Sequence, residues 1–235
     1  MIRIMIAGLS VGIDNRYGYI ERMAQDYLTD RPAVFTVRAD EEEIRREGEQ
    51  TPEQRYPDGY LESIVVYRKI AERLPEFDAF VFHGAVLNMD GVAYAFTARS
   101  GVGKTTHTRL WHTAFGDRVH YLNGDKPIIR FIDGVPYACG TPWKGKEGYG
   151  TNEMAPLEGI AFLKRGEHNE AYEVGEDKIV TFLMGQIYIP KRADGAMRVM
   201  RLANRLVGSV RLVELKCNMD VEAAYVSHAA MSKKD

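Results

Sequence analysis

The feature that most narrows the folds open to this chain is the run Ala98-Arg99-Ser100-Gly101-Val102-Gly103-Lys104-Thr105, with its Ala-x4-Gly-Lys-Thr spacing. It follows the strand-like run Val92-Ala93-Tyr94-Ala95-Phe96 and precedes a helix expected from about 103 to 115. The plain alternative is a glycine-rich turn that happens to hold a lysine, a chance match on the order of a few per cent in a chain this long. One wedged between an apolar strand and a helix is the setting of a phosphate-binding loop, where backbone N–H groups and the helix N-terminus converge on an anion. Ser100, Gly101, Val102, Gly103, Lys104, Thr105 and Thr106 are therefore expected to hold nucleotide phosphates. Lys104 supplies positive charge and Thr105 a hydroxyl for Mg2+, so the ligands expected are ATP and Mg2+.

Around this loop the chain reads as alternating strands and helices. Residues 2–9 and 33–37 read as strands, and 16–28 has helix-like spacing. The charged stretch 40–57 reads as an exposed, mobile connection or a frayed helix. From Tyr60 the apolar positions Leu61, Ile64, Val65, Tyr67, Ile70, Ala71 and Leu74 predict a helix that Pro75 ends. Strands are expected at 79–82, 85–87 and 92–96, with a hairpin turn at 88–91, then at 119–122, followed by a further hairpin turn at Asp133-Gly134. Residues 140–150 are too glycine-rich for regular structure. Strands at 159–163 and 210–215, and helices at 178–186, 195–207 and from about 221, complete the reading.

The formal net charge of −2 provides no global field to draw in nucleic acid or an anionic membrane, so anion binding must be local. No stretch reaches the roughly 18 apolar residues needed to span a bilayer, and the apolar start reads as a strand, with no convincing signal cleavage site. A cytoplasmic location is the default expectation. Cys139 and Cys217 are far apart and read as buried or idle thiols. Gly8-Leu9-Ser10-Val11-Gly12 spells a hydrolase nucleophile elbow, but it ends the first strand where several should precede it, so it reads as a turn.

Asp125 follows an apolar strand, where a carboxylate can hold a metal or accept a hydroxyl proton; the plainer alternative is a turn aspartate before Lys126-Pro127. Arg165, just past a strand end, can stabilise charge on a transferring phosphoryl group or be merely solvated. In the stretch 139–152, Thr141, Lys144, Lys146 and Asn152 supply donors while the glycines permit close backbone approach, which suits binding of an acceptor or closure over nucleotide.

His83-Gly84, Gly91-Val92 and Ser100-Gly101-Val102-Gly103-Lys104 resemble, in order and spacing, the catalytic domain of HPr kinase/phosphorylase, whose superfamily includes ATP-dependent phosphoenolpyruvate carboxykinase. The resemblance covers residues 79–126, and 139–152 is similar to small bacterial members of that superfamily. It implies a histidine, here His83, near the phosphates or acceptor. It also implies paired aspartates after the loop helix, one assisting Mg2+ and one acting as base. This chain reads Asn123-Gly124-Asp125-Lys126 there: Asp125 matches the second aspartate and Gly124 replaces the first, so Asn123 or another acid must substitute or the chemistry is reduced.

The expected fold is α/β: a P-loop-containing mixed β-sheet core of the HPr kinase/carboxykinase type over 76–235, with flanking helices and a small N-terminal accessory lobe over 1–75. The expected activity is phosphoryl transfer from Mg-ATP to a hydroxyl of a protein serine, peptide or metabolite. Catalytic roles fall to Asp125, Lys104, His83 and Arg165, and metal holding to Thr105 and Asp125. The alternatives are an ATP/ADP-sensing binding protein without catalysis and, less favoured, a carboxykinase-like lyase. Oligomeric state stays open.

Overall fold

In the computed structural model, which describes residues 1–50, 53–99 and 101–232, the chain opens with a hairpin. β1 (Ile2–Ile6) and β2 (Leu9–Ile13) pair antiparallel, and β3 (Phe35–Val37) adds parallel to β2. The single strand expected over 2–9 is thus folded back at Ala7 and Gly8, both at positive φ, as a tight two-residue hairpin turn requires. Ser10, the would-be nucleophile, lies buried in β2 with its hydroxyl donated to Arg31 O.

The helix expected over 16–28 shrinks to α1 (Tyr19–Met23) and a 3-10 turn. Of the two readings of the charged stretch, a mobile connection or a frayed helix, its first part takes the helical one as α2 (Glu41–Glu49). A capping box closes its start: Asp40 Oδ1 accepts from Glu43 N at 2.8 Å and Glu43 Oε2 accepts from Asp40 N at 3.0 Å. Ile44 and Glu47 are buried in its single inward face. Glu47 receives both guanidinium nitrogens of Arg68 from α3 (Asp58–Arg73), whose apolar stripe packs on the three-stranded sheet. Residues Ile128, Cys139 and Trp143 belong to that same buried cluster.

Among the described residues the second sheet has nine strands and is mixed and curled. Its members are β4 (Ala79–Val81), β5 (Ala85–Met89), β6 (Val92–Thr97), β7 (Val119–Asn123), β8 (Ile128–Ile132), β9 (Val135–Cys139), β10 (Met154–Arg165), β11 (Glu170–Glu173) and β12 (Arg211–Cys217). The order β4-β8-β9-β10-β6-β5-β7 is continued beyond β10 by β12 and β11. β10 is longer than the 159–163 expected because it serves three partners: β9 antiparallel along its first residues, then β6 and β12 parallel on either edge. The β5–β6 and β8–β9 turns fall at Asp90-Gly91 and Asp133-Gly134, with all four residues at positive φ.

Strand alternation splits the core. Ala93 and Ala95 of β6 face α5 (Glu176–Met184) and α6 (Ala193–Val207), whereas Tyr94 and Phe96 face α4 (Lys104–Phe115) and α7 (Glu222–Met231). β6 is therefore covered on both faces, and its end is a rigid base for the loop that follows. Among the described residues no helix is long and apolar enough to cross a membrane.

Candidate functional site

β6 runs out of the core at Thr97 and the chain turns into α4. Gly101 and Gly103 take φ of +78° and +120°, which L side chains rarely adopt. A Cβ at Gly101 would have no atom within 4 Å, so the turn faces open space there. Val102 N donates to Arg99 O at 3.2 Å, and Arg165, from the end of β10, donates Nη2 to Gly101 O at 2.6 Å. Arg165 thus grips the loop from its carbonyl side. Gly103 stands at the start of α4 without a side-chain cap, leaving the N–H groups of its first turn for another acceptor. Ser100 lies outside the described residues.

Beside the loop, the end of β7 brings Asp125 against two lysines and a histidine. Its Oδ1 is 3.4 Å from His83 Nε2 and 3.9 Å from Lys104 Nζ, and its Oδ2 is 3.6 Å from Lys126 Nζ. Burial alone would raise the Asp125 pKa; His83, Lys126 and Lys104 outweigh it and bring it to about 2. Burial lowers the Lys104 pKa, more than Asp125 raises it. Lys104 is therefore a desolvated cation that a further anion would stabilise. Gln186 had no signal in the sequence, yet its carbonyl accepts from His83 N at 2.7 Å and its side chain from Thr97 Oγ1 at 2.6 Å. It ties the histidine to the end of β6.

Asn123 organises this corner and is fully buried. Its Oδ1 accepts from the N–H groups of Asp125 and Lys126, and its Nδ2 donates to Thr141 O and Oγ1. With both ends engaged it does not stand in for the missing carboxylate. A side chain at Gly124 would meet Lys144 O at 3.1 Å and Tyr149 O at 3.3 Å, so packing of the glycine-rich stretch accounts for glycine there.

Two clefts flank the loop. The first, of about 710 Å3, takes Lys104 and Thr105 together with Asp125, Lys126, Lys144, Lys146 and Glu147, and is walled by Tyr19 and Tyr60 of α1 and α3. The second, of about 520 Å3, takes Gly101, Val102, Gly103 and Thr106 with His107, Arg165, Cys217 and Asn218. Arg165 therefore sits across the loop from Asp125 and not beside it. Two residues expected to bind substrate lie on neither cleft. Thr141 is fully buried, its hydroxyl donating to Lys126 O at 2.9 Å, and Asn152 donates to Asp26 O at 2.9 Å on the exposed surface. Glu147 directly follows Lys146 in the glycine-rich stretch, so its place was legible in the sequence; nothing local pointed to Tyr19 or Tyr60. Among the described residues no group of three or more His, Cys, Asp or Glu side chains is placed to hold a metal ion.

No protein-family model matches the chain, and no curated protein matches it. Among solved structures it is similar to the Hpr(Ser) kinase/phosphatase from Coxiella burnetii, at 10% identity and a TM-score of 0.30, over 55% of this chain and 92% of that one. A likeness so slight bears no weight in the assignment of an activity.

Proposed function

We propose that the chain is a Mg-ATP-dependent phosphotransferase of the HPr kinase/carboxykinase kind that its motifs resemble, acting on a hydroxyl. The observation that carries this reading is the desolvated Lys104 ammonium at the start of α4, beside an open glycine turn and 3.9 Å from the Asp125 carboxylate. Uncapped N–H groups and a desolvated cation suit a polyphosphate, whose charge would restore Lys104 to its ordinary state. Mg2+, when bound, would neutralise phosphate charge, with Thr105 to hold it. The terminal phosphate belongs at the first cleft, where Lys104 and Asp125 are, and the nucleoside in the second, where Asn218 supplies polar groups.

Asp125 orients the attacking hydroxyl and receives its proton. Its low pKa makes it a weak base while two lysines and His83 surround it; phosphate drawing on Lys104 and Lys126 would raise it toward a useful range. The test is titration with ATP and Mg2+, followed by ADP formation, for the wild type and Lys104→Ala. Nucleotide affinity is expected to fall roughly tenfold to a hundredfold in the variant; equal affinity would remove Lys104 from the site.

The packed glycine at 124 supports a second reading, a nucleotide-sensing protein without transfer. Tight nucleotide binding with no ADP formed in the presence of any hydroxyl acceptor would select it.

A further inference from the structure

The first cleft has a chemistry of its own. Four lysines, Lys104, Lys126, Lys144 and Lys146, face it with only two carboxylates, Asp125 and Glu147. Lys104 and Lys126 share Asp125, at 3.9 and 3.6 Å. Lys144 is drawn down over the Tyr27 ring, its ammonium 5.5 Å from the ring centroid and 3.9 Å from Asp26. Lys146 is exposed and has no ion-pair partner among the described residues. Once a terminal phosphate engages Lys104 and Lys126 and Asp125 engages a hydroxyl, Lys144 and Lys146 remain, the first paired with Asp26 at 3.9 Å and the second unpaired among the described residues, with Glu147 the one other carboxylate lining the cleft.

The opposite wall is apolar and fixed. Tyr19 and Tyr60 meet edge to face at 5.9 Å, and Trp143 stacks on Tyr67 at 4.0 Å while donating its indole N–H to Ser63 O. A volume of about 710 Å3 is that of a small-molecule site.

We infer that this cleft takes as phosphoryl acceptor a small hydroxylated anion, bearing a carboxylate or a phosphate that Lys144 and Lys146 hold and a carbon skeleton that lies against the tyrosine wall. The inference rests on the phosphotransferase reading for its chemistry. The acceptor oxygen forms a bond to the γ-phosphorus as the bond from that phosphorus to the β–γ bridging oxygen breaks. ADP keeps that electron pair, and the hydroxyl proton passes to Asp125. A binding anion raises its own local concentration in such a field and is oriented by it, which a neutral polyol is not.

The experiment uses glycerate and glycerol 3-phosphate as the two anionic probes, neutral glycerol as the uncharged match, and a seryl pentapeptide. ADP formation is measured with each, and binding is followed separately by tryptophan fluorescence, with and without a saturating non-hydrolysable ATP analogue. Trp143 reports on the cleft, while Trp111 is fully buried elsewhere. At least one anion is expected to bind saturably with the analogue present and to exceed glycerol in kcat/KM by roughly tenfold, and Lys146→Glu, on an exposed side chain, to raise its KM by a similar factor with a smaller effect on kcat. The carboxylate and phosphate arms identify which anion the lysines prefer. Glycerol or the peptide performing as well as the anions, no anion binding in either titration, or an unchanged KM in Lys146→Glu would overturn the inference. Failure of the nucleotide to bind would instead sink the phosphotransferase reading, and the fluorescence titration without nucleotide would still decide whether the cleft holds the anion.

Discussion

At the scale of single residues, the most informative side chains are those whose charge the fold has altered. His107, in the first turns of α4, is almost fully buried, accepts or donates at Nε2 with Ser227 Oγ at 3.1 Å, and has its pKa lowered by burial to about 4. Ser227 Oγ already donates to Ala224 O and receives the Trp111 indole N–H, so the imidazole Nε2 must be the donor in that pair. Because the folded state resists the proton, the unfolded chain binds more protons between the ordinary histidine value of 6.5 and about 4. Stability is therefore full above that window and falls as pH drops through it, by on the order of 2–3 kcal/mol. Urea denaturation at pH 7 and pH 4.5 measures this, and His107→Gln should flatten the dependence; an equal pH slope in the variant would show that other groups cause it. For Asp125→Asn, transfer to the acceptor should slow by roughly a hundredfold or more, the range of a lost general base. Single-turnover kinetics would reveal it, and an unchanged rate would exclude Asp125 from the chemistry.

At the scale of elements, the site depends on contacts that hold one segment against another. Glu62 of α3 is fully buried and accepts the N–H groups of Arg16 at 2.6 Å and Tyr17 at 3.1 Å, fixing the entry to α1 and with it the Tyr19 wall. Glu62→Ala would strand two donors and should cost about 1–3 kcal/mol, read as a lower midpoint of urea unfolding. On the far side of the large sheet, α7 lies so close to β10 that a Cβ at Gly159 would stand 2.5 Å from Met231 Cβ. Gly159→Ala should therefore destabilise by about 1–3 kcal/mol through overpacking, although alanine suits a strand better than glycine does elsewhere. A neutral or stabilising effect would mean that α7 can move away freely. Local rules served well for α3, whose apolar stripe is intrinsic to its spacing, and left α2 open between mobile connection and frayed helix, because its few apolar positions do not show that a capping box and the Arg68 pair hold it.

At the scale of the whole molecule, the loop is a partition between two clefts, and the proposed nucleotide would cross it. Cys217 lines the second cleft with its thiol 4.0 Å from His107 Nδ1, and burial pushes its pKa up, whereas Cys139 is closed off in the core. Maleimide should therefore modify Cys217 slowly and Cys139 hardly at all in the folded protein, and saturating Mg-ATP should slow the Cys217 reaction further. Labelling at Cys217 that nucleotide leaves unaltered, read by mass spectrometry, would move the nucleoside out of that cleft. The strand–turn–helix around Lys104, the Asp-Gly hairpins and the stripe of α3 were already determined by the sequence alone, because φ preference, period and helix ends depend on residues within a few positions of one another. The same local reading placed Asp125 and the two glycine-flanked lysines near the loop. Which polar groups face a cleft was decided only by tertiary structure. Thr141 and Asn123 turned inward to satisfy each other and the backbone, Arg165 crossed to the loop carbonyls, and Tyr19 and Tyr60 arrived from the N-terminal helices. Those outcomes depend on pairing between segments more than a hundred residues apart in the case of the Tyr27 hydroxyl and Thr151 O, and no neighbour in sequence carries that information.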